Sequence, residues 1–301
     1  MLERFAARAF QAGSKASAFY HHRGFALGSR ALAPVIGRRI IIVQLNEDAN
    51  FAFPFGDGYW SLLLDRSFSY EDEIDRFLAS VANDDYAFID CGANFGFWSV
   101  VASSRAYGGH AVLAVEASYP NYTKLACNAD LNGGRFKALH RAIGSMNGQA
   151  WLYGHKHEAL SIRARCDKAV GEAVEVITLN DLLDDALVAR RSRLIVKLDV
   201  EGMEIAAIKG GGRLLERDAI LIVEDHGSDR AHSVSRYILD ETPCKVFVLD
   251  PQADRFVWLT DVSMLDRFKA TSSIGYNIFA TNSLFWENRL RCVPRRALHC
   301  T

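Results

Sequence analysis

The chain lacks several features that would place it in a specialised class of protein. No run of about 18 apolar residues occurs, so the sequence predicts no transmembrane helix. The 35 Lys and Arg residues nearly balance 36 Asp and Glu, and a formal charge of −1 argues against a dedicated nucleic-acid-binding protein. Six Pro and 22 Gly among 301 residues are too few for a fibrous or disordered chain.

Cysteine is also sparse and irregularly placed. The six cysteines include no Cys-x-x-Cys pair, so their spacing suits neither a zinc site nor a disulfide scaffold. Such usage fits a reducing compartment, and we therefore expect a cytoplasmic protein. The length predicts one large domain or two small ones, either of which can bury a sizeable core.

Positive charge is concentrated in residues 1–39. This segment holds seven Lys and Arg residues against one acid, a net charge of 7 − 1 = +6. Leu2, Phe5, Ala9 and Phe10 fall near helical spacing, with the basic residues largely on the other side. Three interpretations remain open: a helical extension that packs on the domain or on a second subunit, a peripheral contact with an anionic membrane or glycolipid, or a transit peptide.

Beyond residue 85 the pattern of apolar residues alternates between strand and helix. This alternation predicts an α/β fold with a mostly parallel sheet and helices on both faces. The predicted strands are 86–91, 111–116, 136–142, 194–199, 219–224, 245–250, 255–259 and 274–280. The predicted helices are 70–82, 95–105, 120–132, 179–189, 204–215 and 231–239.

Four further segments complete the predicted organisation. Residues 40–43 form a strand that residues 51–55 continue, and residues 149–153 and 174–178 form a hairpin or edge pair around a polar, basic loop. We divide the chain into a helical and β extension (1–68), a main domain (69–285) and a basic C-terminal tail (286–301).

Polar residues at the carboxyl ends of the predicted strands are candidates for a site, because ligands of parallel sheets bind there. The first strand ends in Asp90, Gly92, Asn94 and Gly96, whose glycines allow a sharp turn before a helix. The next strand ends at Glu116, and an acid there commonly accepts both hydroxyls of an adenosine ribose. These ends indicate a nucleoside site.

The charge at these strand ends selects among nucleosides. A pyrophosphate within about 4 Å of an Asp90 carboxylate would be repelled by ~4 kcal/mol at an effective dielectric of 20. The same carboxylate favours a ligand with an ammonium, a sulfonium and no phosphate. S-adenosylmethionine has this chemistry, and no metal is predicted as a cofactor.

Two more strand ends carry groups suited to catalysis. Lys197 and Asp199 are two residues apart and project from one face of the sheet, where a buried ion pair indicates a site. Glu224 and His226 share a face in the same way if the strand continues past residue 224.

Six segments carry a more specific pattern. In chain order they are 90–96, 115–116 with Pro120 and Asn128, 141–144, 178–183, 197–204 with Gly210, and 224–226. Together they resemble the successive motifs of the FkbM family of S-adenosylmethionine-dependent methyltransferases over residues 69–227. The Lys-Leu-Asp-Val-Glu-Gly stretch from Lys197 is the most specific part, whereas Cys91 and Asn180 depart from the family's commoner residues.

The resemblance implies a class I methyltransferase fold whose last strand, here 274–280, is antiparallel. It also implies O-methylation, often of a sugar hydroxyl in a glycan, glycolipid or glycosylated metabolite. The residues that it implies for donor binding are Asp90, Gly92, Asn94 and Gly96 for the methionine end, Glu116 for the ribose, the backbone of Ala142 and Ile143 for the adenine, and Glu71 for the ammonium.

Methyl transfer to a hydroxyl needs a base that removes the proton. His226 is the first candidate, because its ordinary pKa lies near neutral pH. Asp199 is the second candidate, with Lys197 orienting it, and Glu224 orients the histidine or binds acceptor hydroxyls. A metal-dependent variant stays open as well, since Asp199, Glu224 and His226 are able ligands.

The acceptor is less well defined by the sequence. Five aromatic residues within 51–60 either stack against a sugar or pack in a β-layer, and a basic loop over 155–165 either meets an acidic acceptor or is simply solvated. A protein or small-metabolite methyltransferase, a homo-oligomer and a non-catalytic nucleoside-binding module also stay open. A nucleic-acid acceptor is not expected, because no Asp/Asn-Pro-Pro-Tyr/Phe stretch follows the fourth strand.

Overall fold

The computed structural model describes residues 39–65, 68–156, 159–163, 171–269, 271 and 275–295. Two compact units divide the chain, Met1–Tyr70 and Glu71–Thr301. The predicted amphipathic segment before residue 39 lies outside the described residues, as do His157 and Arg165 of the basic loop. No helix among the described residues is long and apolar enough to cross a bilayer.

The described part of the first unit is a β-hairpin followed by a short 3-10 helix. Strand β1 (Ile40–Asn46) pairs antiparallel with β2 (Ala49–Pro54), so the second segment returns along the first instead of continuing it. Alternate residues of β2 are buried, Phe51 and Phe53 among them. The 3-10 helix Trp60–Leu64 follows.

The second unit is built on an eight-stranded sheet. Its strands are β3 (Ala87–Cys91), β4 (Ala111–Glu116), β5 (Phe136–His140), β10 (Arg193–Leu198), β11 (Asp218–His226), β12 (Lys245–Asp250), β13 (Arg255–Leu259) and β14 (Gly275–Thr281). Their order across the sheet is β13-β12-β14-β11-β10-β3-β4-β5. Neighbours from β11 to β5 are parallel, and β14 is antiparallel to both β11 and β12. This confirms the predicted fold with its antiparallel last strand.

A separate four-stranded sheet lies between β5 and β10 in the chain. It consists of β6 (Ala142–Ile143), β7 (Gly148–Lys156), β8 (Ala159–Arg163) and β9 (Glu172–Ile177), in the order β6-β9-β7-β8. Strands β7 and β9 pair antiparallel, as predicted for these two segments, but they are not joined as a hairpin because β8 lies between them in the chain. The expected loop between these strands instead contains β8, and the expected strand 136–142 ends at His140 because the chain passes to the other sheet.

Ten α-helices lie within the described residues. They are α1 (Asp72–Ser80), α2 (Phe97–Ala102), α3 (Tyr119–Leu131), α4 (Leu179–Leu182), α5 (Ala186–Ala189), α6 (Glu204–Lys209), α7 (Gly212–Leu215), α8 (Ser233–Glu241), α9 (Leu265–Phe268) and α10 (Leu284–Arg291). The two helices expected over 179–189 and 204–215 are each divided in two. The predicted domain boundary before residue 286 falls inside α10, in which Trp286 is fully buried.

The central strands are buried along most of their length. Every residue of β3 is buried, and so are the last five residues of β10. Strands covered on both faces read as continuous apolar runs, which is why these segments are recognisable in the sequence. Asp90 and Lys197 interrupt such runs near their carboxyl ends, so these two polar residues point to the site.

Candidate functional site

The strand registers align four polar residues on one face of the large sheet. Asp90 on β3 lies opposite Lys197 on β10. Glu224 lies two residues beyond the β11 residue that pairs with Lys197, and opposite Asn277 on β14. Because side chains alternate along a strand, these four share one face at the carboxyl edge. The sheet therefore brings together side chains from β3, in the first third of the chain, and from β14, near its end.

The turn after β3 requires glycine at its first position. Gly92 has φ +79°, and the N–H groups of Gly92 and Ala93 both donate to the carbonyl of Val115 on β4. A Cβ on Gly92 would lie 1.7 Å from the main-chain oxygen of Asp199. The main chains at the ends of β3, β4 and β10 thus meet at this turn.

Asn94 and Gly96 shape the rest of the turn. Both have positive φ, +53° and +88°, and Gly96 is the residue before α2. A Cβ on Gly96 would lie 2.5 Å from Leu125 Cδ1 on α3. The predicted donor loop therefore packs tightly against the neighbouring strand and helix.

Glu116 ties the ends of β3 and β4 together. Its Oε2 accepts the N–H of Asn94 at 2.8 Å, and its Oε1 accepts the N–H of Ser118 at 2.8 Å. Burial raises the pKa of Glu116 to about 7, against the opposing effect of these hydrogen bonds. The Asn121 side chain also hydrogen-bonds this carboxyl. An ionised carboxylate has about four acceptor positions, so acceptor capacity remains for a further hydroxyl donor.

A buried lysine lies between carboxyl groups at the centre of the site. Lys197 Nζ donates to Asp199 Oδ2 at 2.8 Å, and Asp90 accepts a 2.6 Å hydrogen bond from Ser99. Burial raises the pKa of Asp90, although Lys197 opposes the rise. Burial favours neutral Lys197, but the carboxylates of Asp199, Glu71 and Asp90 hold its pKa well above the usual value.

Asp199 and Glu224 are joined by a hydrogen bond, and the pKa values of the two carboxyl groups shift in opposite directions. Burial tends to raise the pKa of Asp199, but Lys197 and a hydrogen bond from Glu224 lower it overall. Burial, and then the adjacent Asp199 carboxylate, raise the pKa of Glu224 to about 10. At neutral pH Glu224 is therefore protonated and donates to an ionised Asp199.

His226 lies at the last position of β11, beside Glu224. Its Nδ1 is 3.7 Å from Glu224 Oε2, and its side chain is 34% exposed. The strand does continue to residue 226, so the predicted shared face of Glu224 and His226 is confirmed. Gly275 lies opposite His226 on β14, and a Cβ there would lie 1.5 Å from Glu224 Oε1.

Glu71 reaches the site from the residue before α1. It accepts hydrogen bonds from the indole N–H of Trp98 and, at 3.0 Å, from Asn277 Nδ2, which also donates to Glu73 at 2.9 Å. Asn277 is 5% exposed, and its Oδ1 has no hydrogen-bond partner among the described residues. Sequence reasoning missed Asn277, and the only signal was a polar residue inside a predicted strand.

The turn after β10 adds two acids that sequence reasoning did not single out. Glu204 is buried and accepts the N–H groups of Val200 at 3.0 Å and Gly202 at 3.1 Å. Glu201 has φ +53°, and burial together with Asp199 raises its pKa to about 8. Both lie in the motif that begins at Lys197, which marks them without giving them a role.

The predicted adenine segment lies next to the end of β4. Ala142 and Ile143 are buried in β6, and the N–H of the preceding Arg141 donates to the carbonyl of Glu116 at 3.1 Å. The main chain of β6 is thus connected directly to the residue predicted to hold the ribose.

The predicted acceptor surfaces have different outcomes. In the first unit, four of the five aromatic residues are buried, which favours the packing interpretation; they are Phe51, Phe53, Phe55 and Trp60. Tyr59 is 36% exposed. In the basic loop, Lys156 ends β7 and Arg163 ends β8. Within the described ranges, no cluster of three or more His, Cys, Asp or Glu side chains is arranged to hold a metal ion.

Comparisons with known proteins find a methyltransferase family and methyltransferase relatives. The family model described as the methyltransferase FkbM domain matches residues 90–241, which include every predicted site residue except Glu71. The hexuronic acid methyltransferase AglP of Haloferax volcanii is 25% identical over 172 residues, which cover 56% of this chain and 67% of that protein.

Two solved structures are also similar. Methyltransferase FkbM from Methylobacillus flagellatus KT has a TM-score of 0.41 and 20% identity, over 54% of this chain and 39% of that one. This chain therefore spans well under half the length of that protein. Precorrin-6y C5,15-methyltransferase from Geobacter metallireducens GS-15 has a TM-score of 0.39 and 13% identity, over 72% and 90% of the two chains.

Proposed function

The chain belongs to the FkbM methyltransferase family, and on that basis we propose that it is an S-adenosylmethionine-dependent O-methyltransferase acting on a sugar hydroxyl. The sugar acceptor is supported by the similarity to a hexuronic acid methyltransferase. The oxygen as methyl acceptor is supported by the position of His226, a partly exposed base at the strand end. The acceptor is a glycan, a glycolipid or a glycosylated metabolite.

The observation that carries the proposal is the hydrogen bond between the Glu116 carboxylate and the N–H of Asn94 in the turn that follows β3. The two backbone N–H bonds that it accepts hold it at the strand ends with acceptor capacity to spare for a ribose. Lys197 at the centre of the site is bound to Asp199, so its ammonium is already neutralised. This donor set fits a nucleoside without phosphate groups.

Each predicted donor-binding residue has a role in this arrangement. Glu116 holds the ribose hydroxyls, and the backbone of Ala142 and Ile143 faces the adenine. The turn with Asp90, Gly92, Asn94 and Gly96 holds the amino-acid end, and Glu71 takes its ammonium. When bound, S-adenosylmethionine supplies a methyl group on a positively charged sulfur, and positioning then accounts for much of the rate.

The structure favours His226 over Asp199 as the base. Asp199 has a lowered pKa because Lys197 and the Glu224 proton both stabilise its charge, and a weakly basic carboxylate is a poor proton acceptor. Glu224 is protonated and cannot take a proton. His226 is a third exposed, and it removes the acceptor proton while Glu224 lies beside its ring.

The test is methyl transfer by the full chain with labelled S-adenosylmethionine and two probe sets, methyl glycosides of neutral hexoses and of hexuronic acids. We expect His226→Ala to lower kcat by about 10²- to 10⁴-fold, the usual contribution of a general base. We expect Asp199→Asn to lower kcat less. S-adenosylhomocysteine affinity, measured by calorimetry, stays near the wild-type value in His226→Ala.

Two results would contradict the proposal at different points. Near-wild-type turnover in both variants would show that the base is elsewhere. Absence of S-adenosylhomocysteine binding by the wild-type chain would remove the donor assignment itself. Labelled transfer to cell-envelope and glycan extracts, followed by mass spectrometry of the product, identifies the acceptor if neither probe set is methylated.

A further inference from the structure

A fully buried ion pair lies at the end of strand β11. The side chains of Lys269 and Asp225 are both 0% exposed, and Lys269 Nζ donates to Asp225 Oδ1 at 2.7 Å. The same ammonium donates to the main-chain oxygens of His226 and Asp229, each at 3.1 Å. An ammonium has three donors, so all three are directed to residues 225–229.

The contacts around this pair connect three elements of the second unit. Asp225 Oδ2 accepts the hydroxyl of Ser235 on α8. Lys269 directly follows α9, and its own carbonyl accepts Arg230 Nη1 at 2.9 Å. Lys269 therefore contacts the end of β11 and the segment after it in two ways, through its ammonium group and through its own main-chain carbonyl.

Lys269 does not contact the reacting groups. Side chains alternate along β11, so Asp225 points to the face opposite to that of Glu224 and His226. The residue opposite His226 on β14 is Gly275, so no side chain at that position of β14 supports the imidazole. The main chain at His226 thus sets where the ring lies, and Lys269 holds that main chain.

Stability alone does not explain a buried ion pair at this place. Removing two charges from water is costly, and a well-packed apolar pair of similar volume often stabilises a protein equally or better. An apolar side chain at position 269 could not bind the carbonyls of His226 and Asp229. The contacts unique to a lysine here are those that fix the strand end.

We propose that Lys269 is a positioning residue for His226: through the carbonyl of His226 and the carboxylate of Asp225 it keeps the imidazole in place beside Glu224. The inference rests on the proposed function, in which His226 removes the proton from the acceptor hydroxyl. Lys269 acts through His226 and takes no part in the proton transfer.

The first test measures the histidine directly and needs no acceptor. Labelled-histidine NMR spectra are recorded on the full chain, and the His226 signal is assigned from its loss in His226→Ala. In Asp225→Leu/Lys269→Met, which leaves no unpaired buried charge, we expect this signal to shift or broaden. It stays unchanged in the control Lys245→Met, which removes a lysine paired with Glu287 at the start of β12. An unchanged His226 signal in the double variant would overturn the proposal.

The second test is kinetic and separates positioning from folding. We expect Asp225→Leu/Lys269→Met to lower kcat at least tenfold, since small displacements of catalytic groups cost about that much or more. S-adenosylhomocysteine affinity stays within about twofold. In the His226→Ala background the same substitutions cause no further loss, because residues that act through one group are not additive.

An equal loss of kcat in the wild-type and His226→Ala backgrounds would show that Lys269 has a structural role only. If the double variant does not fold, Lys269→Arg replaces it in both tests with the same expected directions, because a planar guanidinium cannot reproduce three compact ammonium contacts. Wild-type turnover in His226→Ala would instead refute the assignment of His226 as the base in the proposed function, and the NMR result would still decide whether Lys269 positions the ring.

Discussion

Four carboxyl groups at the strand ends differ in how burial and neighbouring charges act on their protonation. Burial raises the pKa values of Asp90, Glu116 and Glu224, whereas Lys197 and the Glu224 proton lower that of Asp199. Among these four groups, Asp199 is therefore the one whose ionised form its surroundings favour. The sequence predicts an ionised carboxylate at Asp90, but burial in the structure disfavours the ionised form of that group.

The protonation of Glu116 predicts a pH dependence of donor binding. The carboxyl is neutral below its pKa of about 7 and accepts more hydroxyl donors when it is ionised above it. We expect S-adenosylhomocysteine affinity to rise about tenfold from pH 6 to pH 8, in proportion to the ionised fraction. Calorimetry at several pH values checks this. Glu116→Gln should bind more weakly and without this rise, and a flat wild-type profile would contradict the prediction.

The raised pKa of Glu201 predicts that replacing this residue stabilises the folded protein, and that the gain depends on pH. Its pKa is raised from 4.5 to about 8, so the folded chain binds more protons than the unfolded chain between these values and loses stability as pH rises through them. Glu201→Gln removes this loss while keeping a similar side chain. We expect the variant to gain about 1–2 kcal/mol over wild type at pH 9, after discounting for solvent screening, and almost nothing at pH ~4.5.

Urea unfolding of both chains across this pH range measures the difference. A gain that is constant with pH would show that relief of a charge is not the cause, and a gain that falls with pH would contradict the direction of the pKa shift.

At the scale of elements, the turn after β3 depends on the close approach of two main chains. Gly92 has positive φ and meets the Asp199 carbonyl, while Gly133 between α3 and β5 has φ +70° and a Cβ there would meet no atom within 4 Å. An alanine at either position would have a strained positive φ, but only an alanine at Gly92 would also clash with the main chain of Asp199. The two glycines form a matched pair for substitution.

Alanine at these two glycines should have unequal effects. We expect Gly133→Ala to lower the free energy of unfolding by about 1–2 kcal/mol through strain alone. Gly92→Ala adds overpacking, for a total of about 2–5 kcal/mol, and weakens S-adenosylhomocysteine binding, which Gly133→Ala leaves intact. Equal effects of the two substitutions on binding would contradict the role given to the turn.

Elements with purely local signals are predicted well. The strands Ala111–Glu116, Lys245–Asp250 and Arg255–Leu259 have the predicted bounds, because burial on a sheet leaves continuous or alternating apolar residues. The prediction of a single helix over 204–215 is wrong. A Cβ on Gly210 would lie 2.4 Å from the carbonyl oxygen of Gly144 in a distant segment, and such a contact leaves no local pattern.

At the scale of the whole molecule, a donor that binds only the folded chain should stabilise it. At a concentration about 100 times its dissociation constant, S-adenosylhomocysteine adds about 2.7 kcal/mol, which corresponds to a rise in Tm of about 5 °C or more. ATP at the same concentration should cause no rise, because Asp199 is ionised and Lys197 is already paired. A thermal scan compares the two ligands, and an equal rise with ATP would contradict the phosphate-free site.

The sequence by itself determined the order of the strands of the large sheet, the residues at the strand ends and the family motifs, because these features depend on local periodicity and on short spacings. It predicted Asp90, Glu116, Lys197, Glu224 and His226, which the sheet does bring to one edge. Their binding and catalytic roles stay predictions until the variants are measured.

Only the tertiary structure decided which of these groups carry charge and what holds them in place. Asn277 and Gly275 reach the site from the far end of the chain, and Lys269 contacts the main chain of His226 from there; no motif marks these residues. Protonation follows burial and neighbouring charges, and both arise from contacts between segments that are distant in sequence. The identity of a residue sets what it can donate or accept, whereas the fold sets whether it does so at neutral pH.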